Sequence, residues 1–145
     1  MIGKSYELDS VFPAKESVGE RPWGTEDLVA LVSGKFSVKV LNIKAGSKGG
    51  LQYHRMKDEV AFVVSGEMLV RFDLGDGNLQ ERIVTSGEVV HFMPGLVHQE
   101  EALSDCMIIE ASTPHFNDRV RMEPEYGLGK SEGLPTTLID EIDYR

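Results

Sequence analysis

Gln52 and His54 stand two residues apart in the stretch Gly46-Ser-Lys-Gly-Gly-Leu-Gln52-Tyr-His54-Arg-Met-Lys-Asp-Glu59-Val-Ala-Phe-Val-Val-Ser-Gly66. On an extended strand, residues two apart leave the same face. Glu59 follows after four mostly polar residues, enough for a turn, and opens an apolar run that ends at Gly66. Two strands joined in this way would bring an amide oxygen, an imidazole and a carboxylate to one point. Those donors suit a borderline or hard divalent cation. Met56 sits two residues past His54, but a thioether is a poor partner for hard ions, so it reads as core or mouth lining.

The elements that must position these residues are short strands. Apolar runs at 28–32 and 36–43 are split by Ser33-Gly34-Lys35, a hairpin signal. Runs at 60–64 and 68–74 flank Ser65-Gly66, and Gly75-Asp76-Gly77-Asn78 is a further hairpin turn. Runs at 79–84, 89–92 and 107–111 complete the series. Regular short strands and turns predict an all-β sandwich or closed barrel, and the jelly roll is the member with a pocket to be lined. The expected layout is a single domain over 1–145, with a barrel core over about 28–113, an arm at 1–24 and a helical or irregular tail at 114–145.

At the ends the signals are weaker. Tyr6, Leu8 and Val11 or Phe12 fit a short edge strand, and Arg21-Pro22-Trp23-Gly24 reads as a turn whose Trp23 caps the core. Residues 135–145 fit one short amphipathic helix with Leu138 and Ile142 four apart. A segment that small must pack on the barrel or on a second subunit, so a homodimer is expected.

Composition narrows the function. A chain of 145 residues with 41% hydrophobic content suits one ordinary core. With 15 basic and 24 acidic residues the net charge is −9, which argues against nucleic acid or anionic membranes as partners. A local cluster of Lys44, Lys48, Arg55 and Lys57 would usually be a solvated rim, yet it flanks the motif and suits a phosphate or carboxylate. The single Cys106 lies in an apolar run and reads as a buried free thiol; with no signal or membrane-spanning stretch, a reducing cytoplasm is expected.

The spacing of Gly46, Gln52-x-His54, Glu59 and Gly66 resembles the first motif of the cupin superfamily, with Gln52 where most cupins carry a histidine. Gly87-Glu-Val-Val-His91-Phe-Met-Pro94-Gly95-Leu-Val-His98 resembles the second motif, and that resemblance implies His98 as the fourth metal ligand. Met93 stands in place of the usual proline and Ala102 in place of the usual asparagine.

A closer resemblance is to the cupin domain of type II mannose-6-phosphate isomerases. It rests on Arg21-Pro22-Trp23-Gly24, Phe36-x-Val38-Lys39, Lys44-x-Gly46, Leu51-Gln52-x-His54, Glu59, Val63-Val64-Ser65-Gly66 and Gly95-x-x-His98. It closes on Asp118-x-Val120-Arg121-x-Glu123-x-x-Tyr126-Gly127. Arg55-Met56 replaces the histidine run typical of that family. The resemblance implies a metal-dependent isomerase or epimerase that moves a proton along an anionic sugar through an enediol. Zinc is the first expectation for the metal, with manganese, iron or nickel open. His91 and Lys39 are the candidate proton shuttles, while Arg121, Arg119 and Arg55 are the candidates for holding the anionic sugar or carboxylate. Arg121 has a structural alternative, an ion pair with Asp118 or Glu123. Two other readings stay open: a mononuclear dioxygenase-type cupin, and a non-catalytic metal- or sugar-binding one.

Overall fold

Alternation along the strands sets the architecture. In Glu59–Ser65 the residues Glu59, Ala61 and Val63 are buried while their neighbours are more exposed. Cys106–Ser112 repeats the pattern, burying Cys106, Ile108 and Ser112. The computed structural model describes residues 4–116 and 118–129, and in them such strands form two antiparallel sheets.

The strands are β1 (Glu16–Arg21), β2 (Gly24–Val32), β3 (Phe36–Ile43), β4 (Gln52–His54), β5 (Glu59–Ser65), β6 (Glu67–Asp73), β7 (Gln80–Thr85), β8 (Val89–Phe92), β9 (Val97–Ala102), β10 (Cys106–Ser112) and β11 (Arg119–Arg121). One sheet runs β1-β2-β3-β10-β5-β8 and the other β11-β4-β9-β6-β7. The fold is all-β, a jelly roll whose two sheets face each other. Between them lies an apolar core that includes Trp23, Ile43, Val63, Met68, Val70, Phe92 and Ile108. Trp23 therefore caps the core as the sequence suggests, and Cys106 is a buried free thiol.

Burial drives this assembly because each strand presents one apolar face, and burying a Phe or Ile side chain contributes about 1.5–3 kcal/mol. The apolar core fills only part of the interior. Along β3, β10 and β5 the inward positions change from Ile43, Ile108 and Val63 to Lys39, Glu110 and Glu59.

One expectation needs adjustment. The segment expected as an edge strand at Tyr6–Phe12 instead holds a short helix, α1 (Leu8–Val11), with every residue exposed. Its apolar spacing was too short and irregular to distinguish a strand from one helical turn, and β1 takes the edge position instead. After β11 the chain makes a 3-10 turn, η1 (Glu123–Tyr126). The helix expected around Leu138 and Ile142 lies outside the described residues.

The β5–β6 hairpin turns at Gly66, whose φ of 92° only glycine adopts without strain. A Cβ there would also fall 2.3 Å from the Asp105 carbonyl oxygen. Gly66→Ala should therefore lower unfolding stability by about 2 kcal/mol or more, read by denaturant titration. An unchanged midpoint would show that the turn relaxes freely.

Candidate metal and anion site inside the barrel

The short strand β4 carries Gln52 and His54 on its inward face, as the two-residue spacing requires. Gln52 is in register with His98 of β9 on one side and with Arg121 of β11 on the other, while His54 pairs with Arg119. The His54 and His98 rings lie 5.7 Å apart, and His98 stacks on Phe92 at 4.1 Å.

Both imidazoles are oriented from behind. His54 Nδ1 lies 3.0 Å from Asp118 Oδ1, and His98 Nδ1 lies 2.9 Å from the Leu96 carbonyl oxygen. A carbonyl only accepts, so His98 Nδ1 carries the proton and Nε2 presents a lone pair. Next to an ionised carboxylate His54 takes the same tautomer. Asp118 is itself fixed by the backbone N–H groups of Met56 and Lys57, each at 2.7 Å. This backing arrangement is the one that orients metal-binding histidines.

Two inward atoms of neutral side chains, His98 Nε2 and Gln52 Oε1, are buried without a hydrogen-bond partner. Leaving such atoms dry costs about 1–3 kcal/mol each, so they fit a ligand that supplies the missing contact. Burial, and secondarily the positive charge of Lys57, pushes the His54 pKa down. Burial likewise lowers His98 to about 4, so both rings are neutral at pH 7 and fit to act as donors.

Glu59 is buried on the same interior, but its counter-ion is a side chain. Lys57 Nζ stands 2.5 Å from Glu59 Oε2 and 3.1 Å from Glu110 Oε1. A lysine in that charged turn would usually lie on a solvated rim, whereas Lys57 is 9% exposed. Despite burial, the two carboxylates hold its ammonium firmly charged. Burial and then Glu110 push Glu59 up to about 7 against the pull of Lys57. For Glu110, Lys57 and Lys39 overcome burial and bring it down to about 2. Among the described residues, no three His, Cys, Asp or Glu side chains stand close enough together to share a metal ion. The neutral donors are poised, and the carboxylate is engaged elsewhere.

The remaining candidates separate by strand parity. Lys39 faces the interior, where its ammonium lies 2.8 Å from Glu26 and 5.2 Å from the Phe116 ring centroid. His91 does not share that interior. It is in register with outward-facing Val60, is half exposed, and meets Asp58 at 2.6 Å on the outer surface. A proton shuttle at His91 would be on the wrong side of the sheet. Arg55 and Met56 are exposed at the mouth. His115 is a loop residue, with Nδ1 at 2.8 Å from Thr113 Oγ1.

Arg119 and Arg121 both extend inward from β11, with Val120 on the opposite face. Arg121 Nε reaches both oxygens of buried Glu123, at 3.0 and 3.2 Å, and its NH2 group also contacts that carboxylate. Its guanidinium passes so near Gly50 that a Cβ there would fall 2.3 Å from Cζ. The geometry matches the structural ion pair considered from the sequence. Arg119 beside it has its pKa lowered, first by burial and then by Arg121.

An all-β jelly roll with oriented histidines on its inward strands defines the class of the fold, a barrel with a partly polar interior. The cupin domain family matches residues 39–112, and the chain belongs to that family. No curated protein matches the chain. Among solved structures, it is similar to the capsular polysaccharide assembling protein CapF from Staphylococcus aureus, at 24% identity and a TM-score of 0.65 over 74% of this chain and 31% of that one. It is similar to oxalate decarboxylase from Bacillus subtilis at 17% identity and a TM-score of 0.65, over 92% of this chain and 44% of that one. A third likeness is to KdgF from Halomonas sp., at 20% identity and a TM-score of 0.57, over 65% of this chain and 81% of that one. The chain thus spans about a third of CapF. At these identities the likenesses establish the fold. Among the described residues no helix is long and apolar enough to cross a membrane.

Burial inside the barrel predicts two opposite pH dependences. The lowered His98 pKa makes a contribution present above the usual 6.5 and lost as pH falls through about 4. Glu100, partly buried on β9, is pushed up to about 8 from 4.5, first by burial and then by Glu59. Its contribution is complete below 4.5 and disappears as pH rises through about 8. Glu100→Gln should therefore flatten the fall in melting temperature between about pH 5 and about pH 9, leaving the acid side unchanged. Parallel wild-type and variant curves would assign that fall to another group.

Proposed function

We propose that the barrel binds a divalent metal ion, zinc first, through Gln52, His54 and His98, with Glu59 joining as the fourth donor once it leaves Lys57, and isomerises or epimerises a small anionic sugar. The observation that carries this reading is the pair of buried, partnerless atoms, His98 Nε2 and Gln52 Oε1, flanking a histidine held from behind by Asp118. Amide, imidazole and carboxylate donors suit zinc and manganese alike. When bound, the ion would supply charge stabilisation to the oxygens of an enediolate.

The chain's own groups do the rest. His54 and His98 are kept neutral and aimed by Asp118 and Leu96. Arg119 brings positive charge to the strand beside His54, where a phosphate or carboxylate gains from a planar donor fork. Arg121 orders that strand through Glu123. Of the two acid–base candidates, Lys39 has the inward position.

Lys57 on Glu59 favours a second reading, a non-catalytic sugar-binding cupin whose interior charge is balanced without metal. Elemental analysis separates the two. His54→Ala and His98→Ala should each abolish stoichiometric metal while circular dichroism stays that of a folded barrel, and Met56→Leu should retain it. Sugar-phosphate isomerisation by the metal-loaded protein is then screened. Metal that survives both histidine changes would mean the site is elsewhere.

We also infer a homodimer. The arm exposes Tyr6, Leu8 and Phe12, and the outer face of the six-stranded sheet exposes Phe36, Phe62 and Val89. Apolar surface on this scale gains by being covered, and a second copy carries both complementary pieces. Light scattering at micromolar concentration should give twice the chain mass; a monomer mass removes the claim.

A further inference from the structure

The interior places two possible cations on one carboxylate. Glu59 is the only carboxylate in the proposed ligand set, yet its Oε2 lies 2.5 Å from the Lys57 ammonium. Lys57 has a second anchor at Glu110 Oε1, 3.1 Å away, on the neighbouring strand β10. We propose that Lys57 is a built-in competitor for the metal: the ion enters by taking Glu59 from Lys57, which stays behind on Glu110. This inference rests on the metal-binding reading and adds what controls occupancy of that site.

Charge buried in the barrel is costly to leave uncompensated. While ionised, a carboxylate as enclosed as Glu59, 4% exposed, needs a cation beside it, and removing that cation without replacement costs several kcal/mol. Before metal arrives, Lys57 supplies that charge and keeps the barrel folded. When the ion arrives, Glu59 exchanges one cation for another, and Lys57 remains neutralised because Glu110 is already within reach. Glu110 is also in register with Lys39, a second lysine on the neighbouring strand β3. Covering Glu59 in this way lowers metal affinity. It sets a threshold below which the chain stays empty and folded.

The sequence has the required arrangement. Lys57 and Glu59 are two apart at the entrance to β5, so in extended backbone their side chains lie on one face. Glu110 follows the alternation of β10 and is in register with Ala61, whose side chain is a single methyl group. Backbone N–H bonds from Met56 and Lys57 to Asp118 tie this corner to the residue that orients His54.

The test is calorimetric titration of zinc into the full chain, with circular dichroism to confirm folding. Lys57→Met removes the competitor at nearly constant volume and should bind zinc about tenfold tighter or more, since the metal no longer displaces an ion pair. In a Glu59→Gln background the same change should give no gain, because the competition runs through Glu59. Glu110→Gln removes the second anchor, commits Lys57 to Glu59, and should weaken zinc binding. Zinc binding by Lys57→Met where the wild type shows none supports the proposal outright. If the wild type binds zinc and Lys57→Met binds it equally or more weakly, or if the gain persists in Glu59→Gln, competition is overturned while the metal site stands. If Lys57→Met does not fold, the Glu110→Gln arm decides, and unchanged or tighter binding there overturns the proposal. If neither wild type nor Lys57→Met binds zinc, the metal-binding reading itself fails.

Discussion

The constraint on which this barrel depends is neutralisation of buried charge. Two ion-pair groups stand where a simpler protein would have aliphatic side chains. Lys57 lies between Glu59 and Glu110, and Lys39 lies on Glu26, with Arg21 Nε at 3.6 Å from the same carboxylate. Buried pairs of this kind are seldom a source of net stability, because desolvation consumes most of their attraction. Their persistence is better explained by use than by folding. The apolar section around Phe92, Ile108 and Val63 holds the sheets together, and the charged section is carried at that section's expense.

Strand register turns this constraint into geometry. β10 runs between β3 and β5, so Glu110 has Lys39 on one side and Ala61 on the other. β4 and β11 are only three residues each, yet their register places Gln52 beside His98 and Arg119 beside His54. A slip of one residue would turn every one of these side chains outward. Asp118 opposes such a slip: one of its oxygens faces His54 while the other accepts the Met56 and Lys57 amides. It therefore determines both the histidine's tautomer and the path of the turn that brings Lys57 inside.

How much of this was legible in the sequence depended on whether the signal was local. Alternation and turn residues located nearly all the central strands, and the two-residue spacing of Gln52 and His54 placed both on an inward face. Resemblance to a family signalled His98, which lies in β9, a strand with Gln99, Glu100 and Glu101 and little apolar pattern to announce it. The missing information was relational. His91 sits in an ordinary apolar strand, and only its pairing with Val60 rather than with Glu59 reveals that it faces outward. Lys57 sits in a charged turn, and its burial follows from Glu110, 53 positions away. Asp118 was seen as part of a signature, but its bond to His54 spans 64 positions. Composition carries no trace of such pairings.

Charge also bears on what the interior would accept. The chain as a whole is acidic, at −9, and an anionic ligand approaching it meets repulsion everywhere but at a local positive centre. The candidate donors other than Glu59 are neutral, since His54 and His98 have lowered pKa values and Gln52 cannot ionise. A divalent ion held by them and by Glu59 would keep one positive charge in excess. Lys57 and Glu110 would cancel each other beside it. A histidine in place of Gln52 would leave that total unchanged, whereas a second carboxylate would cancel it. The balance of two neutral rings, an amide and one carboxylate therefore suits a site that must hold a metal and still attract an anion. The extra acidic groups within the barrel are compatible with this only because Lys57, Lys39 and burial keep them paired or protonated.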